Sequence, residues 1–234
     1  MLRLMRRSIG VLACAMLLAV SYAQPPHQVR NADFPSFKLL SGATDSDGFP
    51  TSGAKLCLLK ATGICFQMPS YNGYSGGSVT YEFGLDPVGE KVPVTGDGSV
   101  ILFSAQFSGG GSGTLDRLAI LRYGADGRIV NLLPYVGVTN QSDRAIWQIA
   151  TVSNFPILVT ADFDWAEGET HFSEHRYVVK AYKFDPEKDR YLEALSYETS
   201  KKYPGLDEVD RVDVLNAERA QILKRIETPS QTKR

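Results

Sequence analysis

Two stretches of this chain, Ile101-Leu102-Phe103-Ser104-Ala105-Gln106-Phe107 and Ile157-Leu158-Val159-Thr160-Ala161-Asp162-Phe163, match in kind at almost every position and lie 56 residues apart. Each opens with consecutive large apolar residues. A strand sends successive side chains to opposite faces, so an unbroken apolar run is stable only where both faces are covered. These runs therefore predict interior strands with something packed on each side. The match continues downstream. A loop (SGGGSGT) and a strand entered by Arg117 follow the first copy; a loop (DWAEGETHFSE) and a strand entered by Arg176 follow the second. Both of these strands end in Asp-bearing turns, GADGR and FDPEKDR. The unit is strand, variable loop, strand, Asp turn, strand. Repeats of this size build propeller blades or a duplicated antiparallel meander, and a propeller needs about four blades or more. Two visible units favour a meander in a sandwich or barrel, with a small β-propeller as the alternative.

The rest of the chain fits that class. Strand-type runs separated by turn signals cover 54–60 and 64–68, 79–83, 91–95 and 99–107, 115–123 and 128–133, 145–152 and 157–163, then 175–184 and 191–199. Asp97-Gly98 and Asp126-Gly127 are hairpin signals. Residues 24–50 are polar and carry four prolines, which suggests an irregular N-terminal arm with one short strand at 37–41. One segment, 213–226, reads as a helix. Leu215, Ile222, Leu223 and Ile226 share a side, Asp213 suits the N-cap, and Lys224 and Arg225 suit the negative end of the dipole. The expectation is a single mainly-β domain over 51–234 with a C-terminal amphipathic helix lying against a sheet.

Residues 1–23 read as a signal peptide. Arg3, Arg6 and Arg7 precede an apolar core from Ile9 to Val20 that is short for a membrane span, and Ser21-Tyr22-Ala23 is a small-x-small cleavage site. Val11-Leu12-Ala13-Cys14 resembles a lipoprotein box, but lipidation there would leave the apolar AMLLAV at the mature terminus. Secretion, or export to a periplasm, with a mature chain from Gln24, is the expectation. Without the three leader arginines, 22 basic residues face 26 acidic ones, a net charge of −4. A mildly acidic chain whose local pair Lys201-Lys202 is too small to count argues against nucleic-acid or anionic-membrane partners. No later apolar run is long enough for a transmembrane helix. The remaining cysteines, Cys57 and Cys65, flank a hairpin in which Gly63 supplies a positive φ, so they fall near one rung. In an oxidising compartment they should form a disulfide.

Several motifs invite chemistry. Gly73-Tyr74-Ser75-Gly76-Gly77 satisfies G-x-S-x-G, yet a nucleophile elbow needs a strand before the Ser and a helix after it, and 79–83 reads as strand. His171-Phe172-Ser173-Glu174-His175 satisfies H-x-x-E-H, which binds zinc when a helix puts the two His one turn apart. On an extended strand i and i+4 are about 13 Å apart, and the context here is loop into strand. A looser grouping survives: Asp162, Asp164, Glu169, His171 and His175, with Glu167 and Glu174, crowd into fourteen residues. Such a set suits Ca²⁺ or a transition metal if a turn brings it together. A glycosidase pair with Trp165 as sugar platform lacks an identifiable second carboxylate. Asp45-Ser46-Asp47-Gly48 lacks the acids of a calcium loop and reads as a turn; Gly109-Gly110-Gly111-Ser112-Gly113 lacks the Lys of a phosphate loop. Among the aromatics, Tyr71, Tyr74 and Trp165 lie in loops, where they can meet a ligand.

No catalytic constellation stands in the context its chemistry needs. The functional expectation is a non-catalytic β protein that binds a protein partner, a glycan polymer or an envelope surface through its loops. The alternative is a secreted metal-dependent hydrolase using the 162–175 loop.

Overall fold

The computed structural model describes residues 33–61, 63–72, 80–96, 98–108, 114–133, 138–140, 143–205 and 213–227. In chain order the strands are β1 (Phe37–Leu40), β2 (Lys55–Leu58), β3 (Cys65–Gln67), β4 (Tyr71–Asn72), β5 (Thr80–Tyr81), β6 (Leu85–Pro93) and β7 (Ser99–Ser108). There follow β8 (Thr114–Tyr123), β9 (Ile129–Asn131), β10 (Val138–Asn140), β11 (Asp143–Trp147), β12 (Ile157–Asp164), β13 (Arg176–Asp185) and β14 (Arg190–Glu198), then the helix α1 (Val214–Glu227). All pairing is antiparallel. The sheets are β1-β2-β3, the small β4-β5, β10-β8-β7-β6 with β9 also on β8, and β11-β12-β13-β14. Among the described residues the fold is mainly β with one C-terminal helix, and no sheet closes into a barrel.

The doubly apolar runs sit where their chemistry requires. Ser99 to Ala105 of β7 and Ile157 to Ala161 of β12 are buried without a break. Ile101, Phe103 and Ala105 pack with Leu56 and Leu58 of the first sheet. On the opposite face Val100 and Leu102 join Leu118, Ile120 and Leu158. In β12, Ile157, Val159, Ala161 and Phe163 pack against Val214, Leu215 and Ile222 of α1. The layers therefore run β1–β3, β6–β10, β11–β14, α1.

Strand order within the layers separates a sandwich from a propeller. The matched residues Leu102 and Leu158 lie in the same inter-sheet core, whereas Ile101 and Ile157 face outward into different ones. Propeller blades are related by rotation about one axis, so matched residues would lie in successive interfaces. Two sheets joined by their matched faces make a sandwich. The small propeller is not the arrangement found.

Several strands are shorter than expected, 79–83 reducing to Thr80–Tyr81, and two boundaries differ for a visible reason. β6 starts at Leu85 and runs through Pro87, with a register irregularity between Leu85 and Val88. β6 is an edge strand, and a proline that cannot donate to a ladder is tolerated at an edge bulge. The strand expected at 145–152 ends at Trp147, because Val152 and Ser153 donate to the Ile149 carbonyl in a turn. Residues 33–50 join the first layer: Phe34 is buried and β1 pairs with β2.

The two ends of the stack are finished differently. Cys57 and Cys65 are register partners on β2 and β3, 4.1 Å apart at Cα, and form a disulfide. Gly63 holds a φ of 96° in the hairpin between them. Leu56, Leu58 and Phe66 face the core, so alternation puts the disulfide on the outer face of the end sheet. At the other end the Asp213 side chain caps α1, accepting from the Asn216 amide at 2.8 Å. Glu218, 7% exposed, then accepts from Tyr197 Oη at 2.9 Å and Tyr203 Oη at 2.5 Å. Between the middle sheets the Arg122 side chain, 6% exposed, donates from both Nη atoms to Asp189 in the β13–β14 turn. Asp189 has a φ of 52°, a left-handed conformation that Asp and Asn tolerate.

Two stability outcomes follow. Cys57→Ser with Cys65→Ser should lower unfolding free energy in urea by about 2–3 kcal/mol, the loop-closure contribution of a short disulfide. Asp189→Asn keeps the turn but leaves Arg122 without its counter-charge. It should cost about 2 kcal/mol, below the range for fully buried pairs because Asp189 is itself 47% exposed; an unchanged urea midpoint would show that the pair is idle.

Candidate functional site

The β12–β13 loop is built by the end of one buried strand and the start of the next. Phe163 is the last core residue of β12. His175 makes a two-way backbone bridge to Tyr203, donating at 2.9 Å and accepting at 2.7 Å, just before β13 begins. The region 171–175 is thus turn into strand, and the H-x-x-E-H spacing finds no helix to act on. Within the loop, Thr170 and Ser173 close a turn: the Thr170 amide donates to Ser173 Oγ and the Ser173 amide to the Thr170 carbonyl, both at 2.9 Å.

The five candidate metal ligands divide along the strand. Asp162 and Asp164 alternate with Phe163, which packs toward α1, so they lie on the face directed at the neighbouring sheet. Asp164 is in register with Arg176, and Arg176 Nη1 pairs with Glu198 at 2.7 Å. His171 and His175 lie on the Phe163 face, with His175 stacked on the Phe163 ring at 4.2 Å. Among the described residues no three His, Cys, Asp or Glu side chains converge to hold a metal ion. Crowding in sequence does not become convergence in space, because a strand deals neighbours to opposite faces.

A different cluster forms on the Phe163 face. His175 is fully buried. Its Nδ1 lies 2.9 Å from Glu169 Oε2 and its Nε2 lies 2.7 Å from the Thr170 carbonyl oxygen. Glu169, with a side chain 9% exposed, accepts from Lys202 Nζ at 2.7 Å through Oε1 and from the Ala166 amide at 3.0 Å through Oε2. The Lys202 hydrogen bond first, then the Ala166 amide and the His175 ring, hold its pKa down, from 4.5 to about 2, against the opposing effect of desolvation. Neither His175 nor Glu169 has a free side to offer a metal. Burial, and then Glu218, push the Tyr203 and Tyr197 hydroxyls above the ordinary tyrosine range.

Trp165 lies over this cluster, its ring centroid 4.8 Å from His171, 4.9 Å from His175 and 5.4 Å from Phe163. It remains 44% exposed, and Phe172 at the tip of the turn is 76% exposed. Beneath the turn runs Gly205. A Cβ there would meet the Ser173 carbonyl oxygen at 2.3 Å and the His171 carbonyl oxygen at 2.7 Å, so only glycine lets the two backbones approach this closely.

Of the other aromatic candidates, Tyr71 is half-buried and stacks on Tyr81 at 6.2 Å. Tyr74, with the rest of the G-x-S-x-G stretch, lies outside the described residues. Asp45 organises a turn, accepting from the Asp47 and Phe49 amides. Sequence reasoning missed Lys202, Tyr203 and Gly205, which complete the loop from beyond β14. Their only trace was a lone basic pair followed by an aromatic. No protein-family model, curated protein or solved structure matches the chain.

A carboxylate whose folded pKa is depressed contributes stability above its unfolded value and loses it as pH falls through the folded one. Glu169 should hold the loop at pH 4.5 and above and release it toward pH 2. Amide exchange at Ala166, which donates to Glu169, reports this. Lys202→Ala removes the leading cause and should move the loss of protection to higher pH; an unmoved profile would exclude Lys202 from the anchor.

Proposed function

We propose that the chain is an exported, non-catalytic β protein that binds a partner, polymer or surface through its loops, chiefly the β12–β13 loop. The observation that carries this reading is the pairing of exposure with anchorage. Phe172 and Trp165 stand 76% and 44% exposed on a loop held from below by the buried His175, Glu169 and the Lys202 that Glu169 pairs with. An aromatic pair that is ordered before binding loses little conformational freedom on contact, which is how aromatic anchors come to dominate interfaces. Export is supported by the composition of residues 1–23 and by the disulfide, which persists in oxidising compartments. Among the described residues no helix is long and apolar enough to cross a membrane. The matched sheets on either side of the central core support a duplicated meander as the scaffold. A metal-dependent hydrolase at 162–175 has no support from the geometry, since its ligands would come from both faces of β12.

The chain has two tryptophans, and Trp147 is buried. Trp147→Phe therefore leaves Trp165 as the sole tryptophan, selectively excited at long wavelength and sitting on the proposed surface. Titration with soluble envelope polysaccharides, zwitterionic lipid vesicles and fractionated extracellular protein should give a saturable blue shift with one class. Phe172→Ser should weaken that binding roughly tenfold, the loss expected for one buried aromatic anchor. Gly205→Ala should weaken it too by displacing the turn. Emission that none of the three classes changes would overturn the reading.

A further inference from the structure

The faces that β7 and β8 turn toward the first sheet are apolar from Ile101 to Phe107 and from Leu115 to Tyr123, with one exception. That exception is Arg117. Alternation sends its neighbour Asp116 to the other face, where it pairs with Arg144. Arg122, Arg144 and Arg176 each meet a carboxylate, whereas Arg117 meets none among the described residues. Its guanidinium lies 5.6 Å from the centre of the buried Phe83 ring and donates from Nη1 to the Ser70 carbonyl at 3.3 Å. Burial holds its pKa below the ordinary guanidinium range, and the Tyr71 hydroxyl beside it offsets this in part. A half-buried charge without a counter-charge costs stability unless something outside the chain supplies one. We propose that Arg117, with the aromatic row Tyr71, Tyr81 and Phe107, forms a second binding site, for a carboxylate-bearing sugar residue of an acidic polysaccharide.

The β4–β5 hairpin lays its rings beside that charge. Tyr71 and Tyr81 are register partners whose rings stack at 6.2 Å, and the Phe107 ring meets Tyr81 edge-on at 4.9 Å. Phe107 is in register with Leu115, the next residue along the face that carries Arg117. All three rings are half-buried. Neither tyrosine hydroxyl has a hydrogen-bond partner among the described residues. The row offers ring surface to the C–H face of a sugar and two hydroxyls to its oxygens, next to a planar fork that matches a carboxylate. Mostly aromatic walls with a few polar groups that fix orientation are the composition of a small-ligand site.

Other anions fit less well. A peptide C-terminus is captured by clustered backbone amides, and around Arg117 the β8 backbone is committed to ladders with β7 and β10 on its two sides. A nucleic-acid or polyphosphate chain needs several cations in a row, and this face of β7 and β8 carries one. A sugar acid needs one cation and an apolar platform. The site is separate from the Trp165–Phe172 surface. Trp165 packs on Phe163, on the face of the last sheet turned to α1, while Arg117 lies on the face of the middle sheet turned to β1–β3. The two binding readings are therefore independent.

Isothermal titration of the full chain with oligomers of galacturonate, of mannuronate and of a glucuronate–N-acetylglucosamine repeat should show saturable binding of at least one, weakening as salt is added. The same oligomer with its carboxyl groups reduced to alcohols should not bind. Arg117→Met should weaken binding roughly tenfold to a hundredfold, the loss of a hydrogen bond to a charged group. Arg117→Lys, which keeps the charge but not the fork, should recover part of it, and Tyr81→Leu should weaken it too. A cation kept for structure would lower the urea midpoint when removed. Arg117→Met, which replaces an uncompensated charge with an apolar chain, should leave the midpoint unchanged or raise it. Failure of all three oligomers to bind, equal binding of the reduced form, binding that survives Arg117→Met, or a lowered midpoint in that variant would each overturn the site. Tighter binding of a peptide with a free C-terminal carboxylate would overturn the sugar. In the Trp147→Phe background the oligomer should leave Trp165 emission unchanged; a blue shift would move its binding to the β12–β13 loop and overturn this site alone. Binding at Arg117 with no ligand for Trp165 fails only the loop reading.

Discussion

Two strands that are apolar on both faces cannot end a layer. Each requires cover front and back, and the architecture follows from meeting that demand twice. β7 is covered by the first sheet on one side and by β12's sheet on the other. β12 is covered by β7's sheet and by α1. Placing the two demanding strands against each other lets one core serve both, so only two further layers are needed. A helix serves as one of them, its Val214, Leu215 and Ile222 packing on the outward residues of β12 and β13.

Among the described residues the buried charges Arg122 and Glu218 lie at seams of this stack. Arg122 reaches from β8 to the β13–β14 turn, and Arg144 of β11 reaches back to Asp116 of β8 at 3.1 Å and to the Ser104 hydroxyl at 3.3 Å. Both bridge the middle sheets, at points where the apolar core gives way to polar positions. Apolar packing alone tolerates sliding between two sheets. Hydrogen-bonded guanidinium groups do not, because a small displacement leaves a desolvated charge without its partner. Glu218 plays the same part between α1 and the last sheet.

What was legible in the sequence was local. Apolar runs marked β7 and β12, Asp-Gly signals marked hairpins, Asp213 marked the helix start, and the spacing of Cys57 and Cys65 marked their pairing. Each depends on residues within about a dozen positions of one another. What was not legible needed the third dimension. The acids and histidines of 162–175 looked like a set because they are neighbours, but Phe163 between Asp162 and Asp164 already implied that those two turn away from it. Glu169 finds Lys202 from 33 positions downstream, and no spacing rule joins them. The choice between sandwich and propeller turned on which face of each matched strand is shared, which alternation leaves open.

Among the described residues the end sheet β1-β2-β3 packs one face into the core and has no second sheet on the other, and its strands are three or four residues long. In a stack whose layers are held by their immediate neighbours, local stability declines toward any end lacking a second cover. The disulfide sits on the face away from that core and restricts how far β2 and β3 can separate once they open. The molecule should therefore come apart as a sequence of layers, with the β1–β3 layer opening first as a tethered hairpin. The core shared by β7 and β12 would be the last to admit water.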